Sequence, residues 1–135
     1  MNKQDKYDHW VDIAQYDLDT ADAMLKSGRY LYVTFMCQQA IEKLVKGLYV
    51  WYLDQEPPRT HNIYSMYKTI FENNKQALER ESQYAPFFAE LLAYYISERY
   101  PSYREKLSAV VVKEKAIEVL HKAREVFVWL QSLKM

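Results

Sequence analysis

The sequence predicts an all-α fold of four long helices and one short one. Only two glycines and four prolines interrupt 135 residues, so long regular elements with few turns are expected. Apolar residues recur with a helical period along most of the chain. No stretch alternates apolar and polar residues for long, the run Val110-Val111-Val112 being the one ambiguous case.

The first helix is expected from about Tyr7 to Lys26, with Trp10, Ile13, Ala14, Asp17, Leu18, Ala21, Met24 and Leu25 on its inward stripe. Gly28 supplies the left-handed residue that ends it. The second runs from about Tyr30 to Asp54 and is apolar around most of its circumference, which marks a central, largely buried helix. Pro57-Pro58 closes that region. A short helix follows, capped by Thr60 or Asn62, with Ile63, Met66, Tyr67, Ile70 and Phe71 as its stripe. The polar segment from Glu72 to Arg80 reads as a loop or a loose helical turn. Ser82 reads as the next cap, with Pro86 in the first turn, where its missing amide costs little. That helix carries Phe87, Phe88, Leu91, Leu92, Tyr95 and Ile96 inward, and Pro101 limits it to Glu98 or Arg99. After a connection through Ser108, the last helix spans about Val112 to Leu133, with Ile117, Leu120, Ala123, Phe127 and Leu130 inward. No linker or internal repeat divides the chain, so residues 1–135 read as one domain.

Eighteen basic residues balance eighteen acidic ones. That balance argues against a strongly basic nucleic-acid wrapper while leaving room for a local basic cleft. A lone cysteine, Cys37, excludes an intramolecular disulfide and suits a reducing, cytoplasmic compartment; its apolar surroundings make it a core residue. Neither a secretory leader nor a membrane span is expected. Thirteen tyrosines are more large apolar surface than a small bundle easily hides. They suit a protein interface, or tips that reach solvent at the rim of the core.

Gln39, Glu42, Lys43 and Lys46 follow i, i+3, i+4, i+7 spacing and so line one face of the second helix, opposite Val33, Cys37, Ala40, Leu44, Leu48 and Trp51. Asp17 falls on the inward stripe of the first helix, where a carboxylate pairs, borders a cleft or reaches solvent at the boundary. Arg99 follows Tyr95, Leu92 and Phe88 on an apolar face, which points it towards the core side at its helix end. An arginine so placed pairs with an internal carboxylate, Asp17 or Glu42, or lines a phosphate pocket. His61 sits in a proline-defined loop at a helix start, as a general base, a phosphate contact or a solvent-exposed loop residue. Lys43, Lys46, Arg99, Arg104 and Lys106, with Tyr100 and Tyr103 for base stacking, have the composition of a groove for single-stranded RNA or a nucleotide; a solvated charged surface has the same composition. His9, His61 and His121 have no metal-ligand spacing, and neither a metal nor a cofactor is expected.

In order along the chain stand Trp10, Ala14, Asp17-Leu18 and Ala21; Gly28-Arg29-Tyr30; Gln38-Gln39-Ala40-Ile41-Glu42-Lys43 with Lys46; Thr60-His61; and Arg99-Tyr100-Pro101. This series resembles the HEPN domain family (higher eukaryotes and prokaryotes nucleotide-binding) in its RYP-containing form. The resemblance implies an up-and-down helical bundle, frequent homodimerisation, and in many members metal-independent RNase activity, often in a toxin encoded beside a minimal nucleotidyltransferase antitoxin. The family's catalytic motif is an arginine followed four to six residues later by a histidine. Arg99 matches the arginine, but Tyr100 to Lys106 contain no histidine. A nucleotide- or RNA-binding dimer is therefore the expected function. The alternatives are an RNase that uses Arg99 with a substitute base such as His61, and a purely structural dimerisation module.

Overall fold

A computed structural model describes residues 1–100, 102, 109 and 111–135, apart from the side chains of 97–99. Five helices occur among them: α1 (Lys3–Lys26), α2 (Tyr30–Leu53), α3 (Ile63–Ile70), α4 (Lys75–Arg99) and α5 (Lys113–Ser132). No strand occurs among the described residues. The expected all-α arrangement of four long helices and one short one is what forms.

α2 is the centre, packed against α1, α3, α4 and α5. Its composition explains why: Val33, Cys37, Ala40, Ile41, Leu44, Val45 and Leu48 are all fully buried. The long helices alternate in direction. Trp51, near the end of α2, meets Tyr7 at the start of α1 (ring centroids 6.1 Å apart). Phe35, early in α2, meets Tyr95, late in α4. Tyr84, early in α4, meets Trp129, late in α5. The result is an up-and-down bundle with α3 set between α2 and α4.

α1 and α2 join through a tight turn in which Gly28 has φ +76. Its amide donates to Leu25 O and that of Arg29 to Met24 O, so the last carbonyls of α1 are satisfied. Further along, α1 crosses α2 at Gly47, where an added Cβ would lie 2.9 Å from Trp10 Cβ. Lys26 and Arg124 hold the Asp22 carboxyl below the usual carboxylate range, and the Arg124–Asp22 pair, 3.0 Å, links α1 to α5.

Several boundaries and faces differ from the sequence expectation. α1 begins four residues earlier, at Lys3, because Asn2 and Asp5 form a reciprocal capping box. α4 begins at Lys75, capped by Asn74, whose side chain accepts from the Ala77 amide. The segment from Glu72 to Arg80 is thus largely helix rather than loop, Ser82 is not a cap, and Pro86 lies inside the helix rather than in its first turn. Ala77 is fully buried and Tyr67 Oη donates to its carbonyl at 2.7 Å, so tertiary contact anchors this polar-looking turn. Further down α4 it is Tyr94 that turns inward, while Ile96 is exposed; on α5 Ile117 is exposed, with Ala116 and Val119 taking the core positions. The rest of each expected stripe holds: Phe87, Phe88 and Leu91 on α4, and Leu120, Ala123, Phe127 and Leu130 on α5, are buried.

Candidate functional site

The site grows from one face of α2. Glu42 is 4% exposed, although sequence spacing places it on the polar face. α2 is central enough that even this face is covered. A buried carboxylate needs donors, and Glu42 has three. Its Oε1 accepts from Gln38 Nε2 and from His61 Nδ1, each at 2.8 Å. Its Oε2 accepts from Lys46 Nζ at 3.2 Å. Gln38, fully buried, accepts in turn from Gln39 Nε2 at 2.6 Å. Gln38, Glu42 and Lys46 stand at i, i+4 intervals, so regular helix geometry builds the row.

Asp17, on α1, is 7% exposed and accepts from Lys43 Nζ at 2.5 Å. The two carboxylates and two lysines form neighbouring ion pairs. Lys43 and Lys46 therefore hold internal carboxylates instead of forming one side of an open basic groove.

His61 is brought to Glu42 by the loop between α2 and α3. Asp54 ends α2 in a left-handed conformation, φ 50. Thr60 Oγ1 accepts from the Asn62 amide, and Asn62 Oδ1 accepts from the Ser65 amide, starting α3. Of the two expected caps, Asn62 is the one used. The imidazole lies flat against Tyr95, with ring centroids 3.8 Å apart and planes 22° from parallel. Phe35 also packs on Tyr95, with ring centroids 6.3 Å apart and planes 20° from parallel. The His61 side chain stays 43% exposed. Buried carboxylate, half-exposed imidazole and aromatic platform thus meet at one edge of the bundle.

Tyr95 lies one helical turn before Arg99, the last residue of α4. The Arg99 side chain, Tyr103, Arg104 and Lys106 lie outside the described residues. Tyr100 is described and is 56% exposed. Sequence spacing named Asp17, Gln39, Glu42, Lys43, Lys46 and His61; the fold gathers all six around α2. It did not single out Gln38 or Tyr95 as parts of the site. Gln38 stands four residues before Glu42, and Tyr95 four before Arg99, so helical spacing from either candidate would have found them.

Cys37 lies in the core, where burial pushes its thiol up to about 12. His9 and His121 are both exposed. Among the described residues no group of three or more His, Cys, Asp and Glu side chains could hold a metal ion. Among them, too, no helix is long and apolar enough to cross a membrane.

The fold is similar to that in the crystal structure of TT1696 from Thermus thermophilus, with a TM-score of 0.70 and 23% identity, covering 98% of each chain. No match was found among curated proteins. A family model described as the HEPN domain matches residues 7–133. With the bundle, the Glu42-centred face of α2 and a family match over nearly its whole length, the chain belongs to the HEPN domain family.

Proposed function

We propose that this chain is a nucleotide- or RNA-binding module that works as a cytoplasmic homodimer, with a minimal nucleotidyltransferase as its partner in a toxin–antitoxin-like pair. The observation that carries the binding reading is the His61 ring, fixed by buried Glu42 at 2.8 Å and stacked on Tyr95, one turn before Arg99. Lys43 and Lys46 are already matched by Asp17 and Glu42. Arg99 is then the cation that this reading assigns to a phosphate, and a guanidinium suits that task because it stays charged and offers a planar fork of donors. Exposed Tyr16 (72%) and Val128 (66%) offer apolar surface for a protein contact.

The test is a fluorescence-anisotropy titration of a labelled single-stranded RNA, and separately of a nucleotide, in the presence of EDTA. Saturable binding is expected, and Arg99→Ala should weaken it about tenfold, or about 1.4 kcal/mol. A wild-type protein that binds no phosphate-bearing ligand, yet remains dimeric, would favour the purely structural role.

A second reading is metal-independent RNA cleavage, with His61 as the substitute base and Arg99 stabilising the developing phosphate charge. The Glu42–His61 contact favours it, because a buried carboxylate that orients an imidazole is a common general-base arrangement. Cleavage in EDTA that is lost in both His61→Ala and Arg99→Ala would establish this reading over simple binding.

A further inference from the structure

The hydrogen-bond network around Glu42 determines which nitrogen of His61 faces outward. An ionised carboxylate only accepts hydrogen bonds. Glu42 is surrounded by donors: the Gln38 amide and the Lys46 ammonium besides His61 Nδ1. The Nδ1 atom must therefore carry a hydrogen. In a neutral ring that leaves Nε2 bare, as an acceptor. No hydrogen bond to Nε2 occurs among the described residues, and the side chain is 43% exposed.

We infer that Glu42 and Gln38 are positioning residues that present His61 Nε2 as a hydrogen-bond acceptor, and that the ligand group it receives is a ribose hydroxyl. A phosphate diester has only acceptors to offer a bare Nε2. A ribose 2′-hydroxyl offers a donor and is the group that separates RNA from DNA. The stacked Tyr95 ring, 3.8 Å away, fixes the plane in which that acceptor points. Lys46 fixes the polarity of the carboxylate end of the network, since its ammonium can only face an oxygen. The inference rests on the binding function proposed above and adds what His61 reads.

Glu42→Gln has a distinctive consequence. The amide must turn its oxygen to Lys46, which brings its NH2 group to His61 and to Gln38, whose own amide turns over to accept from it. Nδ1 then becomes the acceptor, and the hydrogen moves to Nε2. The shape is almost unchanged, but the outward atom is converted from acceptor to donor.

Two measurements test this. Long-range 1H–15N NMR between about pH 6 and 9 separates the two neutral tautomers from the doubly protonated ring. Wild-type protein should show Nδ1–H with bare Nε2, and Glu42→Gln should show Nε2–H. Wild-type Nε2–H, or a doubly protonated ring throughout, would overturn the inference. In the second measurement, single-stranded RNA should bind about fivefold more tightly than DNA of the same sequence, the effect of one hydrogen bond. The RNA-to-DNA ratio should fall towards one in Glu42→Gln and in His61→Ala, whatever the absolute affinities. Equal wild-type binding of RNA and DNA, or a ratio that survives both substitutions, would overturn this inference alone. A wild-type protein that binds neither polymer nor a nucleotide would overturn the proposed binding function and this inference with it.

Discussion

Lys43 Nζ lies 2.5 Å from Asp17 Oδ2, joining the middle of α1 to α2 by one mostly buried ion pair. Its neighbours on α2 continue the pattern, with Lys46 on Glu42. Losing one partner from such a pair costs more than the pair contributes, because it leaves the other charge uncompensated. Asp17→Ala should therefore lower stability by about 1–3 kcal/mol, and urea unfolding would measure it. Asp17→Ala combined with Lys43→Met should recover part of that loss. A single variant within about 0.5 kcal/mol of wild type would mean that Lys43 simply swings to solvent.

At Gly47 α1 and α2 approach each other closely. Replacing a mid-helix glycine with alanine ordinarily stabilises a helix by about 1 kcal/mol. Here the new Cβ meets Trp10 Cβ at 2.9 Å and the Tyr7 ring at 3.5 Å. A Cβ cannot rotate away, so the helices must separate. Gly47→Ala should destabilise by about 1–3 kcal/mol, the usual cost of overpacking. The sign of the change in urea midpoint decides between the two effects.

Alkaline pH should unfold this protein through groups that the core keeps protonated. Burial raises the Cys37 thiol from 9.0 to about 12 and the Tyr67 hydroxyl from 10.0 to about 12. Burial also raises Tyr94, as does its hydrogen bond to Glu90. Each group binds its proton more tightly when folded than when unfolded. Their contribution is complete below the unfolded pKa and is lost as pH rises through the folded one. The melting temperature should decline from about pH 9 upwards, towards about 12. Tyr67→Phe should flatten that decline, at a cost of about 1 kcal/mol at neutral pH for the lost bond to Ala77 O. A thiol reagent at pH 8 should leave Cys37 unmodified until denaturant is added.

Pro86 sits inside α4 with no amide to offer the Ser82 carbonyl. It is exposed, so an alanine there removes no buried surface. Pro86→Ala should raise stability by about 1–3 kcal/mol, within the difference between the two residues in a helix interior. A fall in the urea midpoint instead would show that the proline shapes the groove between α3 and α4, which Pro86 lines with Asn62, Phe88 and Leu92.

The helical class, the number of helices and the central place of α2 were legible in the sequence, because each depends on periodicity within a single segment. The same is true of Gly28, whose left-handed conformation follows from local chain chemistry. Gln39, Glu42, Lys43 and Lys46 were legible as one face for the same reason. Tertiary packing decided what that face does. Periodicity places side chains around one axis; it does not say which second helix or loop covers them. The approach of α1 and of the loop before α3 turned a row of polar residues into internal ion pairs, gave Glu42 its imidazole partner and laid His61 on Tyr95. The start of α4 escaped local reading because Glu72 to Arg80 is polar in composition. Asn74 capping and the burial of Ala77 beneath Tyr67 outweigh that composition, and the second of these depends on a chain segment outside the residues that it orders.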